Sequence, residues 1–372
     1  MPSQILHTLF GEDVVAGIYR RIAPRFGIVA DKALEKISLT HKKAFALGCQ
    51  GPDIFYHSQE SRPVGLEYGA LLHRRGAGIF TAGLLKMGLP DPPPDEEDIR
   101  TGRREKGINA LGAYALGFMT HAVLDRAAHP YIVYKSGWVS PRKPETLRYA
   151  KSHAFFERVL DVLMLERLRG EAVSGWNQEE ILASVCENPP LGLKELLAKA
   201  LVLAFPERAG KDEKLSRRIE NTFADCRRFY RLTDPRRTSL SADGPGNEEN
   251  QISAGFLAYV FPEKLSPAVD FLNLEKKPWY YPAGKTGTAD LRSFPELYEE
   301  ALRSASESIT PVITEYLAAG IFPIKEAARA IGNGGLSIVD EDGKPCAPTR
   351  SDPLPLDQVL EDQARLRDPA GY

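Results

Sequence analysis

Asn109-Ala-Leu-Gly-Ala-Tyr-Ala-Leu-Gly-Phe-Met-Thr-His121-Ala-Val-Leu-Asp125-Arg-Ala-Ala-His129-Pro130 is the stretch on which the fold turns. From Asn109 to about Ala128 it is almost continuously apolar, and Gly112, Ala113, Ala115 and Gly117 leave room for close neighbours. That pattern predicts a buried central helix. His129-Pro130 is expected to end it, because a proline disfavours helical geometry in the residue before it. His121, Asp125 and His129 follow one another at four-residue intervals. Four helical residues turn about 400°, so each side chain lies only ~40° further round the same face. Three polar groups therefore share one face of a helix otherwise destined for the core, where an ion buried alone is costly.

Outward from this helix the periodicity stays helical and strand-like alternation is scarce, so the chain reads as all-α, a multi-helix bundle with additional C-terminal helices. Residues 11–22 form an amphipathic run with Asp13 near its start and Arg20 and Arg21 near its end, matching the helix dipole. Helical spacing returns at residues 64–87 and 145–168, the latter closing at Gly170. Further helices are expected near 178–187, 192–204, 212–232, 252–261 and 294–319. Gly48-Cys-Gln-Gly-Pro-Asp53 breaks a helix and puts Asp53 in a loop. Residues 91–98 read as an exposed Pro-rich acidic connector, 239–250 as a long loop, and 336–344 as a short hairpin. Three regions result: a helical domain over 1–170 that holds all the histidines, added helices packed on it over 171–331, and a hairpin with a Pro- and Asp-rich tail over 332–372.

The chain has 372 residues, 43% hydrophobic and 26% charged, which suits one large domain or two modest ones and excludes wholesale disorder. With 48 basic against 50 acidic residues the net charge is −2, so there is no whole-chain attraction to polyanions, and stable nucleic-acid binding is not expected. Cys49, Cys186, Cys226 and Cys346 lie far apart, which excludes a thiolate zinc site or a CxxC redox motif and fits a reducing cytoplasm. The opening Met-Pro-Ser-Gln-Ile-Leu-His lacks the pattern of a secretory signal, and no apolar run approaches the ~18 residues of a membrane span. A cytoplasmic protein is the expectation.

All seven histidines fall within the first 153 residues. His153 and Glu157 repeat the four-residue interval of His121, Asp125 and His129 on the next helix. Two helices can thus offer five nitrogen and oxygen donors to one cavity, the outline of a metal site in a bundle core. One isolated pair of this kind would be better read as a structural hydrogen bond. Two pairs, set among Phe118, Val123, Leu124, Phe155 and Phe156, favour a cation that offsets the buried charge. The structural alternative is ion pairing with Arg126 and Arg158, each of which points about 100° away from its neighbouring acid.

The sequence resembles the zinc-dependent phospholipase C family, whose secreted members are all-α phosphodiesterases with a cluster of three zinc ions and share that cluster with S1/P1-type nucleases. The resemblance rests on Leu6-His7-Thr8, Ala46-Leu-Gly-Cys-Gln-Gly-Pro-Asp-Ile-Phe-Tyr56, Leu72-His73, the stretch from Leu116 to Pro130, and Ser152-His-Ala-Phe-Phe-Glu157. It implies that Asp53, His73, His121 and Asp125 hold one zinc and that His129, His153 and Glu157 hold a second. Asp125 would bridge to a third ion on His7, which the family completes with an N-terminal tryptophan where this sequence has Met1-Pro2. The secreted enzymes place five residues between the bridging aspartate and the next histidine; here there are three, which lets the helix run further. Glu157 is the phospholipase-like ending of its element, where the nucleases have aspartate. The implied activity is phosphodiester hydrolysis by metal-activated water on a phospholipid-type substrate, with Asp53 orienting or deprotonating that water. Two rivals stand beside it: a nuclease-like or small-molecule phosphodiesterase on the same cluster, and a non-catalytic helical scaffold kept folded by zinc. His57 is expected to support a ligand from outside, and Trp279-Tyr280-Tyr281 to anchor the core or a loop.

Overall fold

A computed structural model describes residues 4–87, 108–140, 142–239, 256–283 and 288–367. Among these residues the architecture is helical, and β structure is limited to isolated bridges. Helix α1 (Gln4–Phe26) is longer at both ends than the predicted 11–22 and carries Pro24 in its last turn. It is followed by α2 (Ile28–Glu35) and α3 (Lys42–Cys49). The predicted helical run over 64–87 divides into α4 (Leu66–Arg74) and α5 (Ala77–Met87), because Arg75 is extended and Gly76 takes φ +80°.

The decisive stretch becomes α6 (Ala110–Ser136), capped by the Asn109 side chain, which accepts from Gly112 N–H. His129-Pro130 does not end it. Proline removes one main-chain donor, the bond to Arg126 C=O, but the turn beyond it is buried at Tyr131, Ile132, Val133 and Tyr134, and that packing keeps the chain helical to Gly137. Helices α3 and α6 touch main chain to main chain. A Cβ on Gly48 would lie 2.1 Å from the Tyr114 carbonyl oxygen, and one on Gly117 would lie 2.4 Å from that of Phe45. The small residues of the sequence therefore bring the 50–53 turn against the polar face of α6.

The expected helix over 145–168 is a 3₁₀ turn, Pro144–Tyr149, and then α7 (Ser152–Arg169), closed by Gly170 in the left-handed conformation as anticipated. Residues 179–187 are helical, and α8 (Leu193–Ala204), α9 (Leu215–Leu232) and α10 (Phe294–Ala319) match the predicted runs; α10 starts with a Ser293/Glu296 capping box. Of the helix expected over 252–261, only the 3₁₀ turn Leu257–Tyr259 falls in the described residues. The connector 91–98 and residues 240–250 lie outside them. Two helices were not foreseen in the C-terminal part, α11 (Ile324–Ile331) and α12 (Leu356–Arg367), and the hairpin reduces to a single bridge between Val339 and Pro345. One core cluster unites Phe10, Phe45, Phe118, Phe156, Leu197, Tyr230, Ile313 and Leu356, so helices from the beginning, middle and end of the chain pack on α6 and its neighbours. No helix of the described residues is long and apolar enough to cross a membrane.

Candidate metal centre

Asp125 is buried in the middle of α6, and imidazoles approach it from α1, from α4 and from α6 itself. His7 Nε2 lies 3.2 Å from Asp125 Oδ1, while His121 Nε2 and His73 Nε2 lie 3.1 and 3.4 Å from Oδ2. His73 Nε2 is also 3.0 Å from Asp53 Oδ1, and His121 Nε2 is 3.6 Å from Asp53 Oδ2. One turn along α6, His129 Nε2 stands 3.6 Å from Glu157 Oε1, which His153 Nε2 approaches to 3.2 Å. Three donor triads result, each with its ligand atoms within 4.8 Å of one another: His7, His121 and Asp125; Asp53, His73 and His121; His129, His153 and Glu157. All eight residues singled out in the sequence converge, and because α6 runs through Pro130, His129 stays on the face of His121 and Asp125.

Local structure explains each position. Asp53 sits in a 3₁₀ turn, Gly51–His57, and not in the open loop expected. Gly51 is required there, since it has φ +55° and a Cβ would lie 2.4 Å from the His121 ring. Three imidazoles are oriented by main-chain carbonyls: His73 Nδ1 lies 2.8 Å from Gly69 O, His121 Nδ1 3.0 Å from Cys49 O, and His129 Nδ1 3.2 Å from Leu336 O. A carbonyl only accepts, so each Nδ1 carries a hydrogen, and in the neutral ring the Nε2 lone pair is turned to the centre, the arrangement a metal ligand needs. His129 Nδ1 is also 3.6 Å from Asp125 Oδ2, and the shorter carbonyl contact takes the hydrogen.

The two arginines weighed as ion-pair partners do other work. Arg158 binds Asp161 at 2.9 Å, and Asp161 accepts from the main-chain N–H groups of Gln4 and Leu6 at 3.0 and 2.7 Å. This pins the first turn of α1 and aims His7 at Asp125. Arg126 donates to the carbonyls of Ile331, Gly334 and Gly335, fastening the strap after α11 beside His129. Asp161 was missed although it continues the four-residue interval of His153 and Glu157; the carbonyls of Cys49, Gly69 and Leu336 have no side-chain signature to read.

Electrostatics follow from burial and proximity. Desolvation disfavours charge on Asp125, yet His121 and His129 overcome it and hold the carboxyl well below its ordinary range. His73 is pushed up to about 10: burial opposes this, and the Asp53 and Asp125 carboxylates outweigh it. His7 is pushed down by burial and by His121, on whose ring it stacks at 4.1 Å. Asp53 Oδ2, His121 Nε2 and Asp125 Oδ2 are buried with no hydrogen-bond partner and face one another. Orphaned oxygen and nitrogen lone pairs aimed at one point are expensive unless a cation satisfies them, and His with carboxylate is the donor chemistry of zinc. The residues fit the ion.

A match to the family model described as "Zinc dependent phospholipase C" spans residues 18–228, more than half of the chain. The chain belongs to the zinc-dependent phospholipase C family. The matched span contains every donor but His7, and it stops before the strap that orients His129. No curated protein and no solved structure matches the chain.

His73 and His153 line a cleft of about 430 Å³, together with Tyr56, Arg74, Trp138 and Tyr149, and with Ile338 and Cys346 from the strap side. A larger hollow of about 640 Å³, lined by Tyr19, Lys42 and others between α1 and α3, contains none of the donors. His57 does not support a ligand. It is buried with its ring stacked 4.0 Å from that of Phe229, neither nitrogen has a hydrogen-bond partner, and burial pushes its pKa down to about 3. Trp279 is a buried anchor, as expected, donating to Arg292 O at 3.0 Å.

Proposed function

We propose that the protein is a zinc-dependent phosphodiester hydrolase of phospholipase C type. The observation that carries this reading is the convergence of three His/carboxylate triads on Asp125, with His73 and His153 opening onto one cleft. Asp53, His73, His121 and Asp125 would hold one zinc, His129, His153 and Glu157 a second, and His7 with Asp125 a third. Zinc bound in this way supplies Lewis acidity to a phosphoryl oxygen and lowers the pKa of a bound water. Asp53 would orient the attacking water and take its proton, a role supported by its orphaned Oδ2 and by the 3₁₀ turn that carries it. Burial of the surrounding carboxylates keeps bulk water from competing for the donors.

Elemental analysis of the purified protein should find two or more zinc per chain. Turnover should be seen on phosphatidylcholine and be weak or absent on single-stranded DNA, the reverse preference marking the nuclease-like alternative. A metal-loaded protein that hydrolyses an activated phosphodiester no faster than His121→Ala would be a zinc-stabilised scaffold.

A further inference from the structure

The rim of the cleft brings apolar and cationic side chains together in one short segment. Trp138, Val139, Tyr149 and Ala150 line the cleft into which His73 and His153 open. On the solvent side of the same rim, Val139 is 37% exposed and Leu147 is 63% exposed. Arg142, Lys143 and Arg148 are exposed and Lys151 is half-buried, against the single acid Glu145. Among the described residues none of these four cations forms an ion pair, so residues 142–151 carry four cations against one acid. The Arg148 guanidinium lies over the Tyr149 ring at 4.8 Å, so the aromatic wall of the cleft and the cationic rim form one surface.

Unpaired cations beside projecting aliphatic and aromatic side chains are the composition of an element that lies on an anionic lipid interface. Lysine and arginine meet the headgroup charge, tryptophan and tyrosine sit at headgroup depth, and the aliphatic tips enter the acyl boundary. We propose that residues 138–140 and 142–151 form the surface by which the protein docks on an anionic bilayer, placing the cleft at the depth of the headgroups. The proposal rests on the phospholipase reading, since a substrate held in a membrane must reach a cleft whose mouth faces that membrane. The turn Asp340-Glu341-Asp342 lies on the strap, which forms the other wall, so the face is polarised and the 138–151 side makes the approach.

The test uses the full chain and vesicles of phosphatidylcholine alone or doped with phosphatidylserine, with co-sedimentation read at low and high salt. Hydrolysis of a short-chain phosphatidylcholine below its micelle concentration is measured in parallel. The wild type should favour the doped vesicles by roughly tenfold or more and lose that preference in high salt. Arg142→Glu with Lys143→Glu should reduce partition by more than about tenfold, at roughly fivefold for each cation removed. Leu147→Asp should reduce it several-fold, and both variants should keep wild-type hydrolysis of the monomeric substrate. Equal vesicle partition of wild type and variants overturns the docking surface, as does binding of polyglutamate without binding of vesicles. Hydrolysis of the monomer without vesicle binding removes docking and leaves the phospholipase reading intact. Charge-dependent vesicle binding without any hydrolysis retains the surface and removes the activity.

Discussion

Residues 7–157 bring side chains to the centre around Asp125, whereas residues 331–336 hold Arg126 and His129 through main-chain carbonyls. The two regions meet at α6, whose Asp125 and His129 face the donors while Arg126 grips the strap. The first region determines what can be bound there. The second holds an imidazole in one tautomer and one orientation, and any residue with a carbonyl in the right place does this. Substitution should therefore act on metal content in the first region and on positioning in the second.

The sharpest contrast should come from His121→Ala, because His121 belongs to two of the three triads. Zinc per chain should fall, and turnover should drop by more than about 100-fold, beyond the range seen for groups that only support a ligand. Gly51→Ala tests whether the turn that carries Asp53 tolerates a side chain. With φ +55° and a methyl 2.4 Å from a ring already tied to Cys49 O, it should lose about 2–4 kcal/mol in urea denaturation. Arg126→Met keeps the aliphatic stem and frees the Ile331, Gly334 and Gly335 carbonyls. Turnover should fall by about 10- to 100-fold, amide exchange at Leu336 should quicken, and zinc content should fall less than in His121→Ala. Equal zinc loss in both variants would erase the distinction between the two regions.

At neutral pH the smallest effect concerns His57, which neither region uses. Its folded pKa lies near 3, below the ~6.5 of an unfolded histidine, so it binds fewer protons when folded. Its contribution is complete above pH ~6.5 and is lost as pH falls from there towards the folded value, with a slope of at most about 1.4 kcal/mol per pH unit. His57→Phe, which keeps the stack on Phe229, should flatten the stability curve in that window relative to wild type, as read from denaturation midpoints across pH.

The donors were legible because four-residue spacing is a property of the chain: His121, Asp125, His129, His153 and Glu157 share faces wherever their helices go. Pro130 was misread because a local helix breaker was set against packing that no local pattern contains. The helical spacing over 64–87 does not mark the break between α4 and α5, because hydrophobic periodicity passes through Arg75 and Gly76, where only the backbone turns. Helices α11 and α12 were hidden by the proline- and aspartate-rich composition around them, although Ile331, Leu356 and Val359 are buried in the core. His57 is expected to support a ligand because ligating groups need outer partners, but a 3₁₀ turn sends it to the other side, against α9.

By itself the amino-acid order determined that the protein is helical, that an apolar helix with polar groups on one face lies at its centre, and which residue types supply the donors. These are short-range consequences of side-chain chemistry and helical pitch. Only the tertiary structure decided that His7 and Asp53 reach Asp125, that Asp161 ties α1 to α7, and that a segment more than 200 residues away orients His129 through Leu336. The last two contacts are made with main-chain groups every residue carries, so their partners are selected by how the helices pack and leave no mark in the sequence.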